Sequence, residues 1–333
     1  MLKHGSAAGT ASLVLALLLS GPAAVPARAD DAAQLYQLVV PMRSASEADR
    51  TAAFGEALRT VAVRISGARD AGTRPAIASA TGNPARYVQQ YAARSNHTLK
   101  VGFDPRAVEQ LVLDAGLPVW PAERPATLVL LYVPSAAGGA RAVLASEAVA
   151  ERSELEKAAG ARGIRLVWPV TEVPASATRD GDRLRSLGST AGASRQSALL
   201  IGTAQADIVD WRYVPLEGEP ATREGAAAEG AHLAADALAE RYATPSTRDL
   251  ARQSIVVTGI TDLGAYAEVL RYLDSLSLVR HVDIDEANAK TLRLGVTMRG
   301  DRALLARIVQ LGDVLSVASA AADGADTDFV YTQ

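Results

Sequence analysis

The chain has 333 residues, of which 49% are hydrophobic, and it contains no cysteine. Disulfides, thiolate metal sites and cysteine nucleophiles are therefore excluded, and the cores must be held by apolar burial. The formal net charge of −3 does not indicate the basic stripe that nucleic acids or anionic membranes usually require, so neither is expected as a partner.

Residues 1–29 have the layout of a secretory signal peptide. Lys3 and His4 precede an apolar run from Ala11 to Leu19, and a small-residue cleavage site follows at Ala27-Arg28-Ala29. This run is too short for a membrane-spanning helix, which needs about 20 apolar residues, and no later segment reaches that length. We therefore expect export to the periplasm and a mature chain without an integral membrane segment.

Residues 30–122 predict a βα-rich amino-terminal domain. A strand is expected from Leu35 to Val40, and Ser46 then caps a helix that ends at Gly67. The apolar positions of this helix are spaced by three or four residues, which is typical of an amphipathic helix.

The rest of this domain predicts two further helices and one strand. The second helix is expected to start at Asn83-Pro84 and to carry Tyr87, Val88 and Tyr91. A half-buried strand from Leu99 to Phe103 follows, and Asp104-Pro105 opens the third helix. The stretch Leu117 to Pro121 is expected to be a linker, because its two prolines exclude a helix.

Residues 123–245 predict a middle α/β domain that contains a βαβ unit. The apolar run Leu128 to Val133 is typical of a strand covered on both faces. A helix and a second buried strand follow, and their spacing favours a right-handed crossover. The expected later elements are a helix at Glu147–Ala161, a strand at Ile164–Val170, a polar loop at Pro174–Gly192, a hairpin at Ala198–Gly202 and Ile208–Val214, and a helix at Ala226–Tyr242.

Residues 252–333 predict a ferredoxin-like βαββαβ domain, so the whole chain combines α/β and α+β modules. A strand from Ile255 to Thr258 is followed by a helix that Thr261 is expected to cap. Two strands, a second helix and a last strand from Phe329 to Thr332 complete the pattern. The three expected small modules are therefore the amino-terminal, middle and ferredoxin-like domains.

Several stretches resemble a known family. They are Val61 to Gly67, Tyr87 to Tyr91, Phe103-Asp104-Pro105, and Ala115 to Trp120 with Arg124-Pro125. Together they resemble the secreted proteobacterial proteins called domain of unknown function two-thousand-and-sixty-six, a family name that implies no activity. The middle domain also looks like the amino-terminal domain of the Tol-Pal translocation protein, by the order of its strands and helices alone.

The histidines do not indicate a catalytic unit. After removal of the signal peptide, His97, His232 and His281 remain, and we expect them in three different domains. A His-based site would need partners brought together across those domains. Neither a zinc-protease helix nor a hydrolase nucleophile elbow is present; Gly188 to Gly192 only imitates the elbow and is interpreted as a loop.

One pattern of glycines and one pattern of acidic residues each have a functional and a structural interpretation. Gly67 and Gly72 have the spacing of a phosphate-binding loop, but Thr73-Arg74 stand where the lysine is required, so a helix end and a turn are favoured. His281, Asp283 and Asp285 alternate along a predicted strand and would suit a divalent metal. The favoured interpretation is a solvent-facing sheet surface on which Arg293 and Arg299 pair with these acids.

The remaining candidate residues are aromatic: Trp120 and two tyrosines. Trp120 lies between Pro118 and Pro121, where it would either anchor a partner or hold the first domain against the second, and the second alternative is favoured. Tyr87 and Tyr91, one helical turn apart in the predicted helix, are interpreted as core residues.

These observations leave two classes of function. The favoured one is a non-enzymatic periplasmic binding or envelope-assembly protein, which has another envelope protein as its partner and no catalytic residue, metal or cofactor. The alternative is a periplasmic hydrolase with a carboxylate-based site assembled across domains.

The cleavage pattern makes a prediction about the exported chain. Because Ala27 and Ala29 supply the small residues that signal peptidase selects, the mature protein should begin at Asp30. Intact-mass measurement of protein recovered from the periplasm should match that start. Retention of residues 1–29 would contradict both the cleavage site and the periplasmic location.

Overall fold

The computed structural model describes residues 32–95, 97–136, 138–179, 198–244, 250–288, 290–318 and 328–332. They form a mixed α/β protein with three sheets. The predicted signal peptide and the imitation elbow at Gly188 to Gly192 lie outside these ranges. Within the ranges, no helix combines the length and the apolar character that a membrane crossing requires.

The amino-terminal sheet has three antiparallel strands in the order β1-β3-β2. Helix α1 packs on one face, where Leu58, Val61 and Ile65 bury against Val101 and Phe103. The elements of this part are β1 (Gln37–Pro41), α1 (Glu47–Ser66), α2 (Pro75–Ala80), β2 (Val88–Ser95), β3 (Thr98–Phe103) and α3 (Pro105–Asp114).

The predicted starts of two helices are confirmed. Ser46 Oγ accepts the backbone N–H of Asp49 at 3.1 Å at the start of α1. Asp104 Oδ1 accepts the N–H of Ala107 at 2.9 Å at the start of α3. Gly67 ends α1 with a φ of 70°, a left-handed conformation that glycine adopts without a steric penalty.

The predicted second helix is wrong. Only Pro84–Tyr87 form a 3₁₀ turn, and the chain then enters β2, which pairs with β3. Asn83 makes no capping hydrogen bond. The Asn-Pro signal is local, whereas pairing with β3 supplies cross-strand partners for the backbone along most of this segment.

The middle sheet has the order β5-β4-β7-β8-β9, with β6 parallel to the first two residues of β4. Strands β4 and β7 are parallel, and β7, β8 and β9 are antiparallel neighbours. The elements are β4 (Thr127–Pro134), β5 (Ala140–Ala142), α4 (Ala150–Arg162), β6 (Leu166–Val167), β7 (Ala198–Gln205), β8 (Ile208–Val214), β9 (Ala221–Gly225) and α5 (Ala227–Tyr242).

The prediction for this part is confirmed in its main elements. The buried strand, the helix before Gly163, the hairpin and the alanine-rich helix are all present. The expected strand from Ile164 to Val170 shortens to the two residues of β6, and β5 and β9 were not predicted. Short edge strands have too few residues to show an alternating pattern.

The carboxy-terminal sheet has the order β11-β12-β10-β14-β13. Strand β14 runs parallel to β10, while the other neighbours are antiparallel. Asp262, and not the predicted Thr261, caps α6 by accepting the N–H of Ala265 at 2.9 Å. The elements are β10 (Ala251–Thr258), α6 (Leu263–Ser275), β11 (Val279–Asn288), β12 (Thr291–Met298), α7 (Arg302–Val309), β13 (Leu315–Val317) and β14 (Phe329–Tyr331).

One apolar cluster runs through the middle and carboxy-terminal parts. It joins Trp120 and Leu131 in the middle of the chain with Leu238 and Tyr242 on α5, and continues to Leu305 on α7. The amino-terminal part has its own cluster, and a third lies on the second face of β4 and β7. Burial therefore connects the last two parts directly.

Trp211 shows how glycine permits the packing of α5 on the middle sheet. A Cβ at Gly202 on β7 would lie 2.4 Å from the Trp211 ring, and one at Gly230 on α5 would lie 2.6 Å from it. Real Cβ atoms do not approach so closely, so both positions require glycine for the indole to fit between strand and helix.

This packing predicts opposite effects for two helical glycines. Gly230→Ala should lower the free energy of unfolding by about 1–3 kcal/mol, because the new methyl group overpacks against Trp211. Gly160→Ala on α4 is the matched control, since no atom lies within 4 Å of its added Cβ, and it should stabilise by about 0.5–1 kcal/mol. Urea unfolding measures both, and equal effects would contradict this account.

Candidate functional site

The three histidines of the predicted mature chain differ in their exposure and in their contacts. His97 is exposed in the turn between β2 and β3, His232 is half-buried on α5, and His281 is exposed on β11. Each lies in a different part of the chain. Among the residues that the structure describes, only His281 contacts a carboxylate directly: its Nε2 lies 2.9 Å from Asp283 Oδ1.

The acids of β11 lie on the open face of the carboxy-terminal sheet, and an arginine that the sequence analysis missed binds both. Arg252 on β10 lies 2.5 Å from Asp285 and 3.7 Å from Asp283. Gly295 makes this possible, because a Cβ there would lie 2.0 Å from the Arg252 guanidinium. A register shift after Ile284 brings Asp285 within reach.

The predicted partners of these acids are wrong. Arg293 approaches Glu286 at 3.7 Å, and Arg299 approaches Glu109 on α3 at 3.6 Å. In the part of the chain that the structure describes, no three His, Cys, Asp or Glu side chains lie together as a metal site would require. The β11 acids are therefore held by arginine on an exposed sheet.

The glycines with phosphate-loop spacing belong to a helix end and a turn. Gly67 terminates α1, and Gly72 lies in a 3₁₀ turn at Ala71–Thr73. Arg74, which stands near the position of the missing lysine, pairs with Asp70 at 3.1 Å. A helix end and a turn therefore account for the spacing of these two glycines.

The two tyrosines are not core residues of a helix. Tyr91 lies on β2 and is 54% exposed, with its ring edge-to-face on Phe54 at 5.3 Å. Tyr87 ends the 3₁₀ turn and is only partly buried. The error follows from the wrong helix prediction, because Tyr87 lies in the 3₁₀ turn and Tyr91 on the strand that follows it.

Trp120 is buried where the first and middle parts meet. It is 1% exposed, and its backbone N–H donates to Ile65 O near the end of α1 at 2.7 Å. The guanidinium of Arg124 stacks on its ring at 3.7 Å, an arrangement that favours cation–π attraction. These contacts support the interpretation in which Trp120 holds the parts together.

Three arginines bind the carbonyl ends of α1 and α4. Arg124 donates to Arg64 O and to Gly163 O, each at 2.8 Å. Arg64 donates to Gly160 O at 2.7 Å, and Arg162 donates to Gly67 O at 2.9 Å. The last carbonyls of a helix lack intrahelical hydrogen-bond donors and carry partial negative charge. The arginines supply the missing donors and the opposite charge.

Burial lowers the pKa of two of these arginines. The pKa of Arg124 falls to about 9 because its guanidinium is removed from water, and that of Arg64 falls to about 10 for the same reason. Both remain charged at neutral pH. Their partners are neutral carbonyls, so the junction stabilises the charge with backbone dipoles.

Arg162 connects this junction to a surface network on α5. It is 1% exposed, lies 2.6 Å from Asp236, and its Nη1 lies 3.1 Å from His232 Nδ1. Because a guanidinium only donates, Nδ1 must accept, and neutral His232 therefore carries its proton on Nε2. Arg223 on β9 continues the network to Asp236 at 3.1 Å.

Glu229 completes the network on the same face of α5. It binds Arg69, which follows α1, at 2.9 Å, and Arg223 at 3.4 Å. Arginines and acids therefore form a continuous network of ion pairs on this face.

A small cavity of about 20 Å³ at the neighbouring junction, lined by residues that include Glu109 and Arg299, has room for about one water molecule.

The open face of the amino-terminal sheet differs from the ion-paired face of the carboxy-terminal sheet. Val39 on β1 and Ala92 on β2 flank Lys100 on β3, and Val39 is 57% exposed. Strand β2 is exposed at seven of its eight positions. The three strands contain no acidic residue.

Comparison with known proteins gives one finding, for the amino-terminal part. Residues 29–121 match the model of a family described as a domain of unknown function, DUF8605, which covers less than a third of the chain. This family differs from the one that the sequence resembles, and the match does not test that resemblance. No curated protein and no solved structure matches the chain.

The hydrogen bond to His232 predicts a pH-dependent stability. Burial lowers the pKa of His232, and the charges of Arg69 and Arg162 add to this effect against those of Glu229 and Asp236. The unfolded chain therefore takes up the proton more readily, so the native state loses stability as pH falls below about 6.5, the ordinary histidine pKa.

Urea unfolding between about pH 8 and pH 5 measures the effect. His232→Gln, which does not titrate, should show a shallower loss of stability with falling pH than the unmodified protein. His97→Gln, which changes an exposed histidine outside this network, is the control. The same slope in all three proteins would contradict the role of His232.

Proposed function

We propose that the chain is a periplasmic, non-enzymatic binding or envelope-assembly protein, with another envelope protein as its partner. We further propose that the partner adds an extended segment to the free edge of β2 and covers the open face of the β1-β3-β2 sheet. The observation that carries this proposal is the exposure of β2 and Val39 on a sheet without acidic residues.

Unpaired strand edges are templates for pairing with another chain, and an extended peptide bound there gains main-chain hydrogen bonds. The side chains of the open face would then set specificity. Lys100 and Arg94 are the charged residues of the three strands, so the expected segment is acidic. The match to DUF8605 lies on this part of the chain, which supports it as a functional unit.

The contrast between the two open faces favours the amino-terminal one. On the carboxy-terminal sheet, Arg252 binds Asp283 and Asp285, and Arg293 approaches Glu286. Such exposed ion pairs are typical of a solvated surface. The amino-terminal face instead carries exposed aliphatic and amide side chains, which a partner can cover without breaking ion pairs.

The geometry also favours binding over the hydrolase alternative. A carboxylate-based hydrolase needs two acids about 5–10 Å apart, in environments that separate their pKa values. Asp283 and Asp285 share one arginine and have 45% and 30% of their side chains exposed. Both acids therefore pair with the same exposed arginine on an open sheet surface, which is typical of a structural ion pair.

The proposal includes the finer points of the fold. We propose three modules, residues 30–122, 123–245 and 252–333, the last with a ferredoxin-like core to which the β13–β14 hairpin adds a strand. The resemblance to domain of unknown function two-thousand-and-sixty-six, and that of the middle module to the Tol-Pal translocation protein, support an envelope role.

Site-specific photo-crosslinking tests the binding surface. A crosslinking residue at position 92, on the open face of β2, should give one discrete adduct in living cells. The same residue at position 157, exposed on α4, is the control and should not give that adduct. Lys100→Glu should weaken recovery of the partner by about tenfold, because it reverses the main charge of the face.

Two outcomes would contradict the proposal. Identical adducts from positions 92 and 157 would show that the amino-terminal face is not the binding surface. Hydrolytic turnover by the purified protein that Asp283→Asn abolishes would favour the hydrolase. Partner binding that survives Asp283→Asn and weakens by about tenfold in Lys100→Glu is the expected result.

A further inference from the structure

A cleft between the middle and carboxy-terminal parts carries a separate inference. It has a volume of about 290 Å³ and lies between the end of α5, the segment that follows β8, and α7. Its lining residues are Leu216, Glu217, Arg241, Tyr242, Arg307, Gln310 and Leu311. The lining therefore contains two arginines and one acid, and its other walls are partly apolar.

Arg307 on α7 has a buried nitrogen without a partner. Its Nε is excluded from solvent and makes no hydrogen bond, and no carboxylate in the described ranges lies within ion-pair distance of it. Arg307 also lines the cleft, so a carboxylate bound there would form a charge-assisted pair with the other nitrogens of its guanidinium.

Arg241, the second arginine, is held by Glu217. Its Nη2 lies 2.5 Å from Glu217 Oε2, and its Nη1 donates to Glu217 O at 2.8 Å. The Glu217 side chain is 62% exposed, so this internal carboxylate reaches Arg241 from the solvent side. An external carboxylate would meet the same donor.

Tyr242 and Gln310 supply further donors. Tyr242 is 3% exposed, and burial raises its pKa, so its phenol stays protonated and able to donate. Leu216 and Leu311 supply apolar surface beside these groups. The donor set is thus cationic and neutral, with Glu217 as the one acid of the lining.

We propose that this cleft binds a carboxylate attached to a small apolar group, either in a small organic acid or at the carboxy terminus of a peptide. Arg307 binds the carboxylate, Arg241 assists it in competition with Glu217, and the two leucines contact the apolar group. The volume is at the lower end of the range for ligand pockets, which sets the size at about one amino-acid residue.

An NMR titration of the full mature protein with matched ligands tests the proposal. N-acetyl-leucine has the carboxylate and the apolar side chain, and N-acetyl-leucinamide is the same molecule without the charge. The acid should bind with a Kd of about 1 mM, and the amide at least about tenfold more weakly. A Gly-Gly-Leu acid binding tighter than N-acetyl-leucine identifies a peptide terminus, and equal binding identifies a small acid.

Three variants separate binding from structural effects. Arg307→Gln should weaken binding of the acid by about tenfold, whereas Glu217→Gln should tighten it, because the competing internal carboxylate is removed. Arg271→Gln is the matched control, since Arg271 is exposed on α6 and donates to a carbonyl of its own helix. Its affinity should not change.

The two substitutions are expected to change the affinity for the acid in opposite directions, which separates a binding role from a structural one. A merely structural role of these residues would weaken binding in both Arg307→Gln and Glu217→Gln. The proposal is overturned if that happens, if the amide binds as well as the acid, or if no acid binds at about 10 mM.

Discussion

The junction where α1 and α4 end is the constraint on which the rest of the structure depends. Each helix brings carbonyl groups without intrahelical partners to this junction, which ranges from exposed at Gly160 to buried at Gly67. Arg64, Arg124 and Arg162 donate to these carbonyls across the boundary between the first and middle parts. The linker reinforces it, because Val119 and Thr244 exchange backbone hydrogen bonds of 2.9 and 2.8 Å. The linker is thereby tied to the segment that follows the end of α5.

The elements that sequence reasoning predicted correctly are those with local signals. Ser46 and Asp104 cap helices through residues three positions away, and the apolar run of β4 needs only its own side chains to indicate burial. The arginine junction has no such signal. Arg64 and Gly160 are 96 positions apart, and Arg162 and Gly67 are 95 apart, so no spacing rule connects them. Sequence analysis accordingly did not identify these arginines as a junction.

The same division explains the error at β2 and its consequence for the binding surface. The segment after Asn83-Pro84 has a helix-start signal, and Tyr87 and Tyr91 have helical spacing, so a local interpretation favours a helix. Pairing with β3 overrides this preference and creates a free strand edge. A helix there would have presented no such edge. The pattern analysis therefore could not identify the candidate binding surface. The β11 acids, which that analysis did identify, are bound by Arg252.

The junction also explains why arginine and lysine are not equivalent in this chain, in which only four of the 34 basic residues are lysines. Arg124 bonds at once to carbonyls of α1, α4 and its own linker, including Pro121 O at 3.0 Å. A planar guanidinium supplies five donors in fixed directions, so one side chain satisfies several carbonyls while its face stacks on Trp120. A lysine ammonium is a compact charge with stronger hydration, and burial would favour its neutral form. The arginine bias therefore has a structural use at this boundary, whatever its origin in composition.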